Sequence, residues 1–131
     1  MPLKEYVGHV LSSISANPYV ESQSISCQER PPDAAYLSGL VAFIDGSQLH
    51  IKEFILFDTA GARIVKYGYN YLDKEGDLIF RYDNALDPMA RDLSSYPEHR
   101  HTKEGLSSAK RPLFEEVLEE ISLQVRERIR V

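Results

Sequence analysis

Leu3, Tyr6, Val7, Val10, Leu11 and Ile14 fall at offsets 0, 3, 4, 7, 8 and 11, which lines one side of a helix. Pro2 suits the first turn and Asn17-Pro18 stops it; His9 lies off the stripe and reads as solvated. A second stripe of Phe114, Val117, Leu118, Ile121, Val125 and Ile129 begins from about Pro112. Its glutamates (Glu115, Glu116, Glu119, Glu120) come early and its arginines (Arg126, Arg128, Arg130) late, an order that complements the helix dipole. Between the stripes the pattern shortens to a strand period. Residues 19–30 read as an extended, polar edge segment, broken by Pro31-Pro32-Asp33. Strands are expected over 36–44, 47–57, 62–72 and 77–83, separated by Asp45-Gly46, by 58–61 and by 73–76. The pattern therefore predicts a single α+β domain over 1–131: an antiparallel meander of about five strands with an N-terminal and a C-terminal helix. Residues 84–111 show no period, and long irregular segments in compact proteins are usually functional or mobile.

Turn lengths imply a register, and register decides which side chains share a face. A two-residue turn at Asp45-Gly46 sets Ile44 opposite Ser47 and Glu53 opposite Ser38. Pairing Phe57 with Ala62 sets Glu53 opposite Lys66; pairing Leu72 with Asp77 sets Lys66 opposite Asp83 and Gly68 opposite Arg81. One face then carries Tyr67, Tyr69, Tyr71, Phe80, Tyr82, Phe54, Leu56, Val41 and Phe43, and packs under the helices. The other carries Leu40, Ile51 and Ile55 with a polar knot of Glu53, Lys66, Arg81 and Asp83. That knot is either a surface salt-bridge network, each cross-strand pair worth only ~0.2–1 kcal/mol, or a preorganised site. Tyr67, Tyr69, Tyr71 and Tyr82 are either core residues with wet hydroxyl tips or a platform on which bases stack. The usual aromatic RNA-binding signature is absent.

Composition adjusts this picture only at the margins. The net charge of −5 argues mildly against non-specific nucleic-acid binding, which draws on Lys and Arg. No apolar run approaches a membrane span and no leader opens the chain, so a cytoplasmic protein with no membrane contact is expected. The lone Cys27 reads as a small hydrophobe. The informative stretch is Pro97-Glu98-His99-Arg100-His101, which holds two of the four histidines. Around it, Arg91, Arg100, Lys103, Lys110 and Arg111 outnumber Asp92, Glu98 and Glu104. Histidines exchange protons near neutral pH, and cations hold phosphate and stabilise charge during phosphoryl transfer. The combination suits a metal-independent ribonuclease needing no cofactor. His-x-His also occurs in metal sites, where Asp83 or Glu53 would have to complete the set; taken alone it also describes an exposed polar loop.

Asp45-Gly46-Ser47, Glu53-Phe54, Tyr67-x-Tyr69-x-Tyr71, the run from Leu78 to Asn84, Pro97-x-His99-Arg100-His101 and an acidic C-terminal helix together resemble the TumE family. These are small bacterial and archaeal proteins described as toxins of toxin–antitoxin pairs. The resemblance covers nearly the whole chain and is most specific over 45–101. It implies a toxin with a cognate antitoxin, more firmly than it implies a reaction. The family pattern has Ala-Pro-His-His after the Asn and two adjacent histidines before the basic residue. Here those stretches read Ala85-Leu86-Asp87-Pro88 and Glu98-His99-Arg100-His101, so three histidines of the pattern are replaced. Two functions are carried forward. In the first, an RNA-cleaving toxin, His99 and His101 transfer protons with Glu53 and Asp83 orienting them. Arg81, Lys66 and Arg100 meet phosphate, and Tyr67 and Tyr69 meet the substrate. In the second, the chain is a non-enzymatic interaction module or an inactive family member. An exposed sheet edge also leaves a homodimer open.

Overall fold

A computed structural model describes residues 1–130; Val131 lies outside them. Helix α1 spans Leu3–Ser15 and α2 spans Phe114–Ile129. The sheet between them has eight strands: β1 (Val20–Gln23), β2 (Ser26–Arg30), β3 (Ala34–Phe43), β4 (Gln48–Asp58), β5 (Gly61–Leu72), β6 (Leu78–Asp83), β7 (His99–Thr102) and β8 (Gly105–Ser108). The order is β1-β3-β4-β5-β6-β7-β8, with β2 also on β3, and every pairing is antiparallel. This is the expected α+β meander, extended at both ends. Residues 19–30 divide into β1 and β2 because the chain crosses β3 at Gly39, where a Cβ would lie 2.2 Å from the Ser24 carbonyl oxygen. β7 and β8 form a hairpin inside the stretch that had no period.

Both helices lie on one face of the sheet, and their apolar stripes bury Val10, Ile14, Phe114, Val117, Leu118, Ile121 and Val125. Against them the sheet sets Leu37, Val41, Phe43, Leu49, Ile51, Ile55, Tyr67, Tyr69, Tyr71 and Phe80. Cys27 packs partly buried against this cluster. Ile129, the last residue of the second stripe, is exposed. At the start of α2 the Glu116 carboxylate accepts the Leu113 N–H at 2.7 Å, which satisfies one of the donors a helix leaves open.

The register differs from the expected one at three places. The Asp45-Gly46 turn contains one more residue. Phe43 N–H donates to Ser47 O at 2.9 Å and Gly46 N–H to Phe43 O at 3.0 Å, with Gly46 at φ +89°. Such a three-residue loop needs glycine at its last position. It sets Glu53 opposite Leu37, where Ser38 was expected. Between Phe57↔Ala62, as expected, and Glu53↔Tyr67, an irregularity beside Phe54 and Ile55 shifts β5 by one residue, so Glu53 does not face Lys66. The β5–β6 pairing moves by two, giving Gly68↔Asp83 and Asn70↔Arg81. An even shift keeps faces and an odd one exchanges them. β6 therefore kept its predicted face while β4 reversed: Ile51, Glu53 and Ile55 point to the helices, and Phe54 and Leu56 point away.

Candidate functional site on the uncovered face of the sheet

The face without helices carries two adjacent rows of side chains across the strands. One runs Ser38, Lys52, Gly68, Asp83, His99. The next runs Leu40, His50, Asn70, Arg81, His101. Together they bring Lys52, Arg81 and three histidines to one face of the sheet, with Asp83 as the sole carboxylate of the two rows. Lys66 is exposed on the same face of β5. A groove of about 600 Å³ lies over the rows from β3 to β6, lined by Ser38, His50, Lys52, Asn70, Arg81 and Asp83 among others; His99, His101 and Lys66 stand outside it on the same face. Gly68 makes its floor: a Cβ there would lie 3.2 Å from Lys52 Cε, so the lysine stem lies across the glycine.

Short polar contacts order the β6–β7 end. Arg81 Nη2 lies 3.4 Å from His101 Nδ1. A guanidinium only donates, so Nδ1 accepts and the ring proton sits on Nε2. His99 is 3% exposed. Its Nδ1 donates to Pro97 O at 2.8 Å, and its Nε2 lies 3.2 Å from Asp83 Oδ1. Both ring nitrogens thus face acceptors, and a neutral imidazole can donate to only one of them. Arg81 Nε approaches Asp83 Oδ2 at 3.8 Å. Asn84, just beyond β6, accepts the Tyr67 N–H at 3.1 Å and donates to Val65 O at 3.0 Å. Its side chain thereby continues the β5 pairing where β6 ends.

The remaining sequence-predicted site residues lie beneath the helices. Glu53 is 1% exposed and accepts hydrogen bonds from the Tyr6 hydroxyl at 2.7 Å and from the Tyr69 hydroxyl. Burial pushes its carboxyl above the usual range, against the lowering effect of those bonds and of Arg111. Burial, with Glu53 alongside, likewise pushes the Tyr6 and Tyr69 hydroxyls up. Arg111 Nη1 donates to the Tyr69 oxygen at 3.2 Å, and the Arg111 N–H and the Tyr67 hydroxyl both donate to Glu98 Oε1 at 3.1 Å. This network ties α1, the sheet and the strap before α2 together. Arg100 points to the same side: it bonds Glu120 at 2.6 Å and stacks 5.4 Å from the Phe80 and Tyr82 ring centres. The fold therefore joins His99, His101, Arg81 and Asp83, with Lys66 on their face, and separates them from Glu53, Arg100, Tyr67 and Tyr69. The tyrosines are core residues whose rings are not open to bases. Lys52 and His50 were missed because the β4 register was one residue out, and Asn70, on the expected face of β5, was missed because it carries no charge that singles it out. Among the described residues, no group of three or more His, Cys, Asp or Glu side chains is placed to hold a metal ion.

A family model described as Toxin TumE matches residues 10–129. The chain belongs to the TumE toxin family. It is accordingly a toxin component, and that role implies an antitoxin as its partner. No curated protein and no solved structure matches the chain. No helix among the described residues is long and apolar enough to cross a membrane.

Proposed function

We propose that this TumE-family toxin acts on RNA at the uncovered face of the sheet, as a metal-independent, ribonuclease-like enzyme. One observation carries the proposal. An acidic protein collects Lys52, Lys66, Arg81 and three histidines on one sheet face, while the glutamates of α2 lie on the opposite side. Cations so placed hold a phosphodiester and offset the charge that develops on it. In this scheme the 2′-hydroxyl attacks phosphorus, and His101 takes its proton at Nδ1 as Arg81 turns to the phosphate. The 5′-oxygen leaves with a proton supplied from the His99–Asp83 pair. Lys52 and Lys66 bind flanking phosphates. Glu53 acts through the fold alone. The burial of His99 favours a second reading, a toxin that grips RNA or a partner protein without cutting.

The test is inducible expression of the wild type and of His101→Ala at matched protein levels, scoring growth and total RNA. Arrest with RNA loss, relieved in the variant, supports cleavage. Arrest with intact RNA leaves the binding-only reading, and normal growth at confirmed expression contradicts both.

A further inference from the structure

The groove is longer than a phosphate needs. Arg81 on β6 and Tyr36 on β3 both line it, offset by three strand spacings, about 14 Å across the sheet, and by two rows along the strands. Its two ends differ in chemistry. The β5–β6 end carries Arg81 and Asp83, whereas on β3 and β4 the lining places Tyr36 and, two rows away, Leu40 and His50 on either side of Ser38 and Lys52. Tyr36 is half-buried on the uncovered face, and its hydroxyl has no hydrogen-bond partner among the described residues. The hydroxyls of Tyr67, Tyr69, Tyr71 and Tyr82, by contrast, are all engaged beneath the helices. Toward the β5–β6 end, Asn70 Oδ1 and Arg81 Nε sit on paired residues of β5 and β6 without hydrogen-bond partners. Buried polar atoms in that condition are costly, and both lie toward the charged end of the groove.

Resting on the phosphodiester reading of the groove, we infer that its β3–β4 end is a base subsite. One unpaired base stacks on Tyr36 beside Phe54, while its phosphate lies over Gly68 between Lys52 and Arg81. The substrate class is then single-stranded RNA, since a base inside a duplex has no free face to offer. Within the groove the tyrosine available for stacking is the isolated one on β3; the conspicuous series on β5 belongs to the core.

Adenosine 5′-monophosphate and ribose 5-phosphate share phosphate and sugar and differ in the base, so their comparison isolates the subsite. Titrating each, and inorganic phosphate, into the full chain while following backbone amide shifts gives three affinities. Adenosine monophosphate is expected to bind about tenfold more tightly than ribose 5-phosphate, the scale of one base stacked on an aromatic ring. Tyr36→Ala should remove that difference and leave inorganic phosphate binding unchanged, and Tyr36→Phe should keep it. Equal affinities in the wild type, or an advantage that survives Tyr36→Ala, overturn the subsite while phosphate still shifts the Lys52 and Arg81 amides. Failure of all three probes to shift those amides overturns the phosphodiester reading as well.

Discussion

Arg100 and His101 are neighbours in the chain and point to opposite faces of β7, so substitutions one residue apart should act on different properties. Arg100→Ala removes the stacking on Phe80 and Tyr82 and the Glu120 ion pair. It should destabilise the protein by about 1–2 kcal/mol in urea unfolding, with phosphate binding in the groove unchanged. His101→Ala should leave stability within about 0.5 kcal/mol and reduce RNA cleavage by on the order of a hundredfold. Gly68→Val belongs to the same scale. Its backbone is not in the left-handed region, and the atom it displaces is the movable Lys52 chain. The variant should fold yet lose much of the phosphate affinity that Lys52 supplies, measured by the same amide titration.

At the scale of elements, α1 is held to the sheet by a buried carboxylate, and this makes stability depend on pH. The Glu53 carboxyl is raised above its ordinary value of 4.5. The folded state therefore binds the proton more tightly, and the associated stability is complete below that value and lost as pH rises through the raised one. Urea midpoints collected between pH 4 and 8 should fall in the wild type, and Glu53→Gln should flatten the fall. The tyrosines act in the alkaline range. The Tyr69 hydroxyl is raised above 10.0, so its contribution persists up to that pH and is lost above it, an effect Tyr69→Phe should remove. The helices and the central meander were legible because their apolar positions repeat with the right periods. His99 and His101 were legible as a pair because both stand in one short basic stretch; their place beside Asp83 and Arg81 comes from the β6–β7 pairing, which no periodicity announced. Glu53 was misplaced by the extra residue in the turn before β4 and by the irregularity opposite it on β5. β7 was invisible because its inward position is Arg100, which buries its stem between aromatic rings. A strand whose inner residue is charged shows no hydrophobic alternation.

For the whole molecule, the net charge of −5 hides a division between faces. Acidic residues crowd the first turns of α2, and the cations of β4, β5 and β6 occupy the uncovered side of the sheet. The central claim is that this uncovered side is the working surface. Two charge reversals, Lys52→Glu in the groove and Arg126→Glu on the exposed side of α2, change the net charge equally. The most direct test compares their binding to an uncleavable 2′-O-methyl oligonucleotide over a range of salt concentrations. Lys52→Glu is expected to weaken binding about tenfold or more and to make the salt dependence shallower by about one phosphate contact; Arg126→Glu should match the wild type. Equal losses in the two variants, or a larger loss in Arg126→Glu, would place the binding surface elsewhere and contradict the account.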